Sequence, residues 1–112
     1  MFKVYFGEDL KSKIKPEAIG LGQAYPNPSQ GNVNIPFTLP ENRSGYEVVL
    51  EVYNTMGQKV SSLVDGHFEP GFYTYLWETS QSAVSSGMYI YRIKVSDGNR
   101  SEILSDKIII NR

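Results

Sequence analysis

Apolar and polar residues alternate in short runs along most of this chain, and this two-residue period limits the fold more than any other feature. In the clearest run, residues 33–39, every second residue is apolar, and Asn34, Pro36 and Thr38 lie between them. Such a pattern is typical of a β-strand with one face in a core and the other in water. Pro36 lacks an N–H group, so we expect this strand at a sheet edge, or with that part of its backbone facing solvent. No apolar pattern with the 3.6-residue period of a helix extends far, and the sequence predicts an all-β protein.

Six more runs of this kind, separated by turn residues, predict six more strands. They span residues 21–25, 46–53, 58–64, 72–78, 88–96 and 100–111. Asp65-Gly66 is expected to end the fourth strand, and Asp97-Gly98 to form a tight hairpin, because Asp and Gly tolerate the positive φ of such turns. Seven short strands at this spacing predict an immunoglobulin-like antiparallel β-sandwich.

Side-chain parity predicts which aromatic residues fill the core. Tyr73, Tyr75 and Trp77 lie on one face of their strand, and such side chains bury roughly 150–250 Å² each. Tyr53 and Phe72 are the aromatic residues most expected at the surface. Because exposed aromatic rings on a β-sandwich can stack on sugars, these two residues keep a carbohydrate-binding function open.

In the last strand, the same parity divides three consecutive isoleucines. Ile108 and Ile110 share the parity that faces the core, as does Leu104. Ile109 points the other way, and Asp106 is expected to mark an irregularity. One sheet face cannot bury all three isoleucines. Either Ile109 packs against a neighbouring loop or the rest of a parent protein, or an apolar edge strand is left free to pair with another chain.

Length and composition limit the classes to which this protein can belong. The chain has 112 residues, the size of one domain, and 11 basic against 12 acidic residues give it no electrostatic footprint for nucleic acid. It has no cysteine, which excludes disulfides and zinc–thiolate sites. No apolar stretch approaches the ~20 residues needed to cross a bilayer. We expect residues 1–20 to be a linker or the end of a preceding domain, and residues 21–112 to form the sandwich.

No group of residues forms a recognisable catalytic or metal site. His67 is the only histidine, and no serine lies in a Gly-x-Ser-x-Gly turn. Glu47 and Glu51 share a strand face, but at ~3.3 Å per residue they lie ~13 Å apart, too far for paired-carboxylate chemistry. Asp65 and Asp97 could contribute to a calcium site, yet the spacing of an EF-hand loop is missing. The sequence predicts a domain that is not an enzyme and has no cofactor or metal.

Short motifs of characteristic composition follow one another along the chain. They are Tyr25-Pro26-Asn27-Pro28-Ser29-Gln30-Gly31, Asn54-Thr55-Met56-Gly57-Gln58-Lys59-Val60, Pro70-Gly71 with Trp77, Ser86-Gly87-Met88-Tyr89 with Arg92, and Lys107-Ile108-Ile109-Ile110-Asn111-Arg112. Their order, their spacing and their position at the end of the chain resemble those of type IX secretion C-terminal sorting domains, also called Por secretion system sorting domains. Two positions depart from the usual pattern of that family, Pro36 and Glu78.

This resemblance implies a C-terminal signal that directs a larger, N-terminally fused cargo protein across the outer membrane. The implied partners are the outer-membrane type IX machinery and its sortase-like peptidase, and the implied route is through the periplasm to the cell surface or outside. Removal of the domain would require a cut within residues 7–24. The implied recognition residues are those of the last motif, Lys107, Ile108, Ile109, Ile110, Asn111 and Arg112.

Other functions are compatible with these residues. One is a carbohydrate-binding or adhesion module of a surface enzyme, and another is an immunoglobulin-like scaffold module similar to those of flagellar hook-cap proteins. Self-association through sheet edges also stays open. A parent chain that ends at Arg112 would favour the sorting signal, whereas further domains after it would favour the alternatives.

Overall fold

The computed structural model describes residues 18–82 and 84–112, so most of the expected N-terminal linker lies outside the described residues. The strands are β1 (Gly20–Leu21), β2 (Val33–Leu39), β3 (Tyr46–Asn54), β4 (Lys59–Phe68), β5 (Gly71–Trp77), β6 (Gly87–Ser96) and β7 (Ser101–Ile110). A 3-10 helix, Thr79–Ser82, follows β5. In the described part of the chain, no helix is long and apolar enough to cross a membrane.

The strands form two antiparallel sheets. One sheet has the order β1-β2-β5, and the other has the order β4-β3-β6-β7. The predicted all-β fold is therefore confirmed, with seven strands in the described residues. The first strand is shorter than expected: it ends at Leu21, and only Tyr25 returns to form an isolated bridge with Asn34.

The core lies between the sheets and is filled by alternate residues of their inner faces. Its largest fully buried side chains include Trp77, Tyr91, Phe37, Ile35, Leu39, Leu50 and Ile93. Trp77 is 1% exposed and meets the ring of Tyr89 edge-on, with 6.2 Å between the ring centroids. Tyr73 and Tyr75 are half-buried against this cluster. The predicted inward face of the aromatic strand is therefore confirmed.

Pro36 lies in the central strand of its sheet, so both expectations for it are wrong. The facing residue is Gly22, whose N–H donates to the Pro36 carbonyl oxygen at 2.8 Å. Pro36 has no N–H with which to return a hydrogen bond, and the Gly22 carbonyl oxygen instead accepts the hydroxyl of Tyr91 at 2.9 Å. A Cβ atom on Gly22 would lie 2.7 Å from the Pro36 ring, which explains why a glycine is needed where these two backbones come close.

Strand β4 continues through Asp65 and Gly66, which were expected to end it. Both residues pair with β3 in extended backbone. An Asp-Gly pair turns the chain only where the backbone reaches a positive φ, as Gly98 does at 97°. There Asp97 donates its N–H to the carbonyl oxygen of Arg100 at 3.0 Å, and the predicted hairpin between β6 and β7 is confirmed.

Candidate recognition site at the terminal strand

Strand β7, which contains most of the last motif, lies at the edge of the four-stranded sheet. It pairs with β6 in unbroken register from Gly87↔Ile110 to Ser96↔Ser101. The irregularity expected at Asp106 is therefore wrong. Its carboxylate instead accepts the N–H of the next residue in the chain at 2.8 Å.

The last motif divides between the core and the surface as parity predicts. Ile108 is 0% exposed and Ile110 is 1% exposed, whereas Ile109 is 45% exposed. Lys107 lies on the same outer face as Ile109. The three isoleucines therefore have separate structural roles, two in the core and one on the outer face of the sheet.

The outer face of the β6–β7 hairpin carries an apolar patch that sequence analysis missed. Met88 lies directly opposite Ile109 and is 44% exposed, and Ile90, two residues further along β6, is 37% exposed. We call Met88, Ile90 and Ile109 the terminal patch. The Asp97-Gly98 turn was the signal that could have revealed it, because the hairpin fixes the register and so places these residues side by side.

The backbone of Ile109 is covered by a segment of the first motif, Asn27–Ser29, which we call the strap. The Ile109 N–H donates to the Asn27 side-chain oxygen at 3.1 Å, and the Ile109 carbonyl oxygen accepts the Ser29 N–H at 2.8 Å. Asn111 donates its N–H to the Ser29 carbonyl oxygen at 2.7 Å. The Asn27 side-chain nitrogen also donates to the Lys107 carbonyl oxygen at 3.4 Å. The expectation of a free edge is therefore wrong for this half of β7.

Arg112 binds the body of the domain through its guanidinium group. That group donates to the carbonyl oxygen of Val84 at 2.7 Å and to that of Thr79 at 3.3 Å. The Arg112 N–H donates to the Ser86 hydroxyl at 2.9 Å. The last residue of the motif thus joins the end of β7 to the loop that precedes β6.

The second motif forms the turn between β3 and β4. The Asn54 side-chain oxygen accepts the N–H groups of Met56 at 2.9 Å and Gln58 at 3.0 Å. Gly57 between them has a φ of 84°, which glycine adopts without strain. This motif is explained by local structure alone.

The charges on the outer face of the β6–β7 hairpin are positive. They belong to Arg92, Lys94 and Lys107. The Arg92 guanidinium lies 4.6 Å above the ring of Tyr53 and donates to its hydroxyl at 2.6 Å. That hydroxyl donates to Glu51, and this hydrogen bond is the main reason that the pKa of the Glu51 carboxyl is lowered. Lys94 and Lys107 make no ion pair with any described residue.

His67 and Glu47, two of the residues considered for catalysis in the sequence, lie together at the surface. His67 lies in β4, with Nδ1 2.8 Å from the Glu47 carboxylate and Nε2 3.4 Å from the Glu69 carboxylate. These partners, Glu47 first, raise the pKa of His67. Glu51 instead contacts Tyr53, Lys59 and Arg92. Within the described residues, Asp65 and Asp97 belong to no group of three or more potential metal ligands.

The two surface aromatic residues that kept a carbohydrate-binding function open do not form a strip. Phe72 is 45% exposed, as expected, and lies on β5 of the three-stranded sheet. Tyr53 is half-buried beneath Arg92 on β3 of the other sheet. Because they lie on different sheets, these two rings do not form one continuous aromatic surface.

These features define a small two-sheet β domain in which the sequence motifs build turns and hold the terminal strand. The family model for the secretion system C-terminal sorting domain matches residues 23–111. The chain therefore belongs to the family of type IX secretion C-terminal sorting domains. Neither the search of curated proteins nor that of solved structures found a match.

Membership establishes the function of the domain. It is a C-terminal sorting signal for type IX secretion, and the family is in general non-catalytic. A protein that carries it is exported to the cell surface or outside the cell. The signal works through the type IX machinery and serves a cargo that lies N-terminal to it.

Proposed function

We propose that the export machinery binds the outer face of the β6–β7 hairpin, at the terminal patch and the adjacent Lys107. The observation that carries this proposal is the contiguity of three exposed apolar side chains on a solvent-facing sheet, since such patches mark binding sites more often than isolated apolar residues do. Lys107, directly opposite Ile90, extends the patch with a positive charge that has no ion-pair partner among the described residues, which fits a receptor surface whose rim carries carboxylates.

The other residues of the last motif act indirectly in this proposal. Ile108 and Ile110 anchor β7 in the core, and Arg112 ties its end to the loop before β6. Because the strap already binds the backbone of Ile109, the receptor contacts side chains here and does not add a strand. Lys107 and Ile109 are therefore the residues of this motif that contact the receptor directly.

The test fuses an inert periplasmic reporter to the N-terminus of this chain in a host that has the type IX machinery. Ile109→Lys should leave the domain folded and reduce surface appearance of the reporter, because a charge replaces an apolar contact. Ile108→Lys should unfold the domain, because a buried lysine cannot keep its ammonium group hydrated. Thermal unfolding of the purified variants separates the two effects.

A matched control is Ile103→Lys, which introduces the same charge on the same outer face of β7. Ile103 is 55% exposed and lies outside the terminal patch, so this variant should be exported like the parent chain. Export of Ile109→Lys at the parent level would refute recognition at the patch. Unfolding of Ile109→Lys would show that the register of β7 is wrong.

We further propose that the domain is removed by the sortase-like peptidase on the cell surface, after passage through the periplasm. Within the expected region of residues 7–24, β1 pairs with β2 and Ala24 is 2% exposed, which disfavours a cut in that part. The proposed cut therefore precedes Gly20, where β1 begins. Mass spectrometry of the mature reporter fusion would locate it, and a cut after residue 20 would contradict this proposal.

We also propose that the sandwich is immunoglobulin-like, which the order of its strands supports. Non-consecutive strands are neighbours in both sheets, β2 with β5 and β3 with β6, which is typical of Greek-key sandwiches. We also propose that the domain itself is no enzyme. Its isolated form should hydrolyse no peptide, ester or glycoside, and hydrolysis that is lost on His67→Ala would overturn this.

A further inference from the structure

Within residues 18–82 and 84–112, no strand pairs with the edge of β7 between Ser101 and Ser105, which we call the uncovered edge, unlike the half that the strap binds. Hydrogen bonds from the strap to Ile109 show that the odd-numbered residues of β7 direct their N–H and C=O groups away from β6. The same groups of Ser101, Ile103 and Ser105 therefore point outward, where no described strand forms hydrogen bonds with them, although β1 of the other sheet lies close to β7. The uncovered edge ends at Lys107, whose N–H is already bonded within the chain.

Ile103 lies at the centre of this uncovered edge. Its side chain is 55% exposed, more than that of any other isoleucine in the described residues. An unpaired edge with an apolar residue at its centre is a template for pairing with another strand. The question is which strand fits it.

We propose that the uncovered edge pairs antiparallel with the same edge of a second copy of this chain, about a twofold axis at Ile103. In this register Ile103 faces Ile103 of the second copy, and Ser101 faces Ser105 of the second copy. Every outward backbone group of the uncovered edge then has a partner, because each facing pair of outward residues exchanges two hydrogen bonds. A twofold axis needs only one kind of surface, which both copies possess.

The charges of the strand select this register. With the axis at Ile103, Arg100 faces Asp106 of the second copy on both sides of the axis, and Glu102 faces Leu104. An axis at residue 102 would place Glu102 opposite Glu102, and an axis at residue 104 would place Glu102 opposite Asp106. Like charges directly opposite each other destabilise a strand pair, and opposite charges stabilise it. Among these three registers, only the one centred on Ile103 has attraction without such repulsion, and it also pairs all three outward residues of the uncovered edge.

The association is expected to be weak. The strap limits the paired stretch to a few residues, so the buried area stays well below the ~800 Å² per partner of a stable interface. The dimer should therefore form at high protein concentration and dissociate on dilution. This inference does not depend on the terminal patch, whose only residue on β7, Ile109, lies in the half that the strap covers.

A cysteine cross-link tests the axis directly, since the chain contains no cysteine of its own. Facing residues in a hydrogen-bonded pair have Cα atoms ~5.5 Å apart, within the range that a disulfide spans. In the full chain under a glutathione redox buffer, Ile103→Cys should form disulfide-linked dimer at least about tenfold more than the equally outward Ile109→Cys. Equal cross-linking of the two variants would overturn the proposal.

Charge exchange tests the register without oxidation. In sedimentation velocity from ~10 µM to ~1 mM, the parent chain should shift from monomer towards dimer, a range that corresponds to weak association. Arg100→Asp should weaken the dimer about tenfold, because both cross-axis attractions become repulsions. Adding Asp106→Arg to that variant should restore the dimer, with circular dichroism as the check on folding. A parent chain that stays monomeric throughout, or a dimer indifferent to Arg100→Asp, would refute the proposed pairing.

Discussion

Replacing Tyr91 with Phe removes one oxygen atom from the core and hardly changes the packed volume. That oxygen accepts the Ala24 N–H at 2.8 Å and donates its proton to the Gly22 carbonyl oxygen at 2.9 Å. Tyr91 is 0% exposed and Ala24 is 2% exposed, so water cannot easily take its place, and Pro36 has no N–H to offer Gly22. A buried backbone group left unpaired costs ~1–3 kcal/mol, so the free energy of unfolding should fall by roughly 2–4 kcal/mol.

Chemical denaturation followed by the fluorescence of the single tryptophan measures this change. The matched control is Tyr89→Phe, whose hydroxyl donates to the Ser85 carbonyl oxygen at 2.8 Å in a partly buried position. Water can replace that bond more easily, so the control should lose no more than about 1 kcal/mol. Equal losses in the two variants would refute the reasoning that the Tyr91 hydroxyl substitutes for the missing N–H of Pro36.

Three further measurements address other parts of the molecule. Trp77→Ala should lower the free energy of unfolding by roughly 3–5 kcal/mol in chemical denaturation followed by circular dichroism, since this variant has no tryptophan, and a change below about 1 kcal/mol would contradict its place in the core. Arg112→Gln should speed hydrogen exchange in residues 84–86, because the loop loses the guanidinium hydrogen bonds; unchanged exchange would show that these bonds are not formed in solution. Glu47 raises the pKa of His67, so the stabilisation from charged His67 is complete below its unfolded pKa of ~6.5 and is lost as pH rises through the folded value. Glu47→Gln should lower the pKa of His67 in an NMR titration, and an unmoved titration curve would contradict the pairing.

The strands and their buried faces could be predicted because burial alternates locally along a strand. Parity placed Trp77 in the core and separated Ile109 from its neighbours, and the structure agrees. Predictions from neighbouring residues alone were wrong where a group far away in the sequence satisfies a backbone hydrogen bond. Pro36 sits in a central strand because the Tyr91 hydroxyl supplies the hydrogen bond that proline cannot.

The strap could not be predicted from the sequence. The first and last motifs were each recognised, but the hydrogen bond from Ile109 to Asn27 joins residues that are 82 positions apart and leaves no periodic pattern. The same holds for Arg112, whose guanidinium contacts carbonyl groups of a loop without regular structure. The terminal patch is an intermediate case, because it follows from the register of one hairpin.

The contacts of β7 also make folding of the sandwich depend on its last strand. Ile108 and Ile110 fill the core, and Ile109 and Asn111 hold the strap, yet a ribosome adds these residues after every other part of the sandwich. Because non-local contacts form only once both partners exist, a chain released early has an open core and an unheld strap. We expect deletion of residues 108–112 to abolish cooperative unfolding, and retention of a cooperative transition would disprove this. The signal therefore folds only after its last strand has been synthesised, and products truncated before that strand would lack a folded export signal.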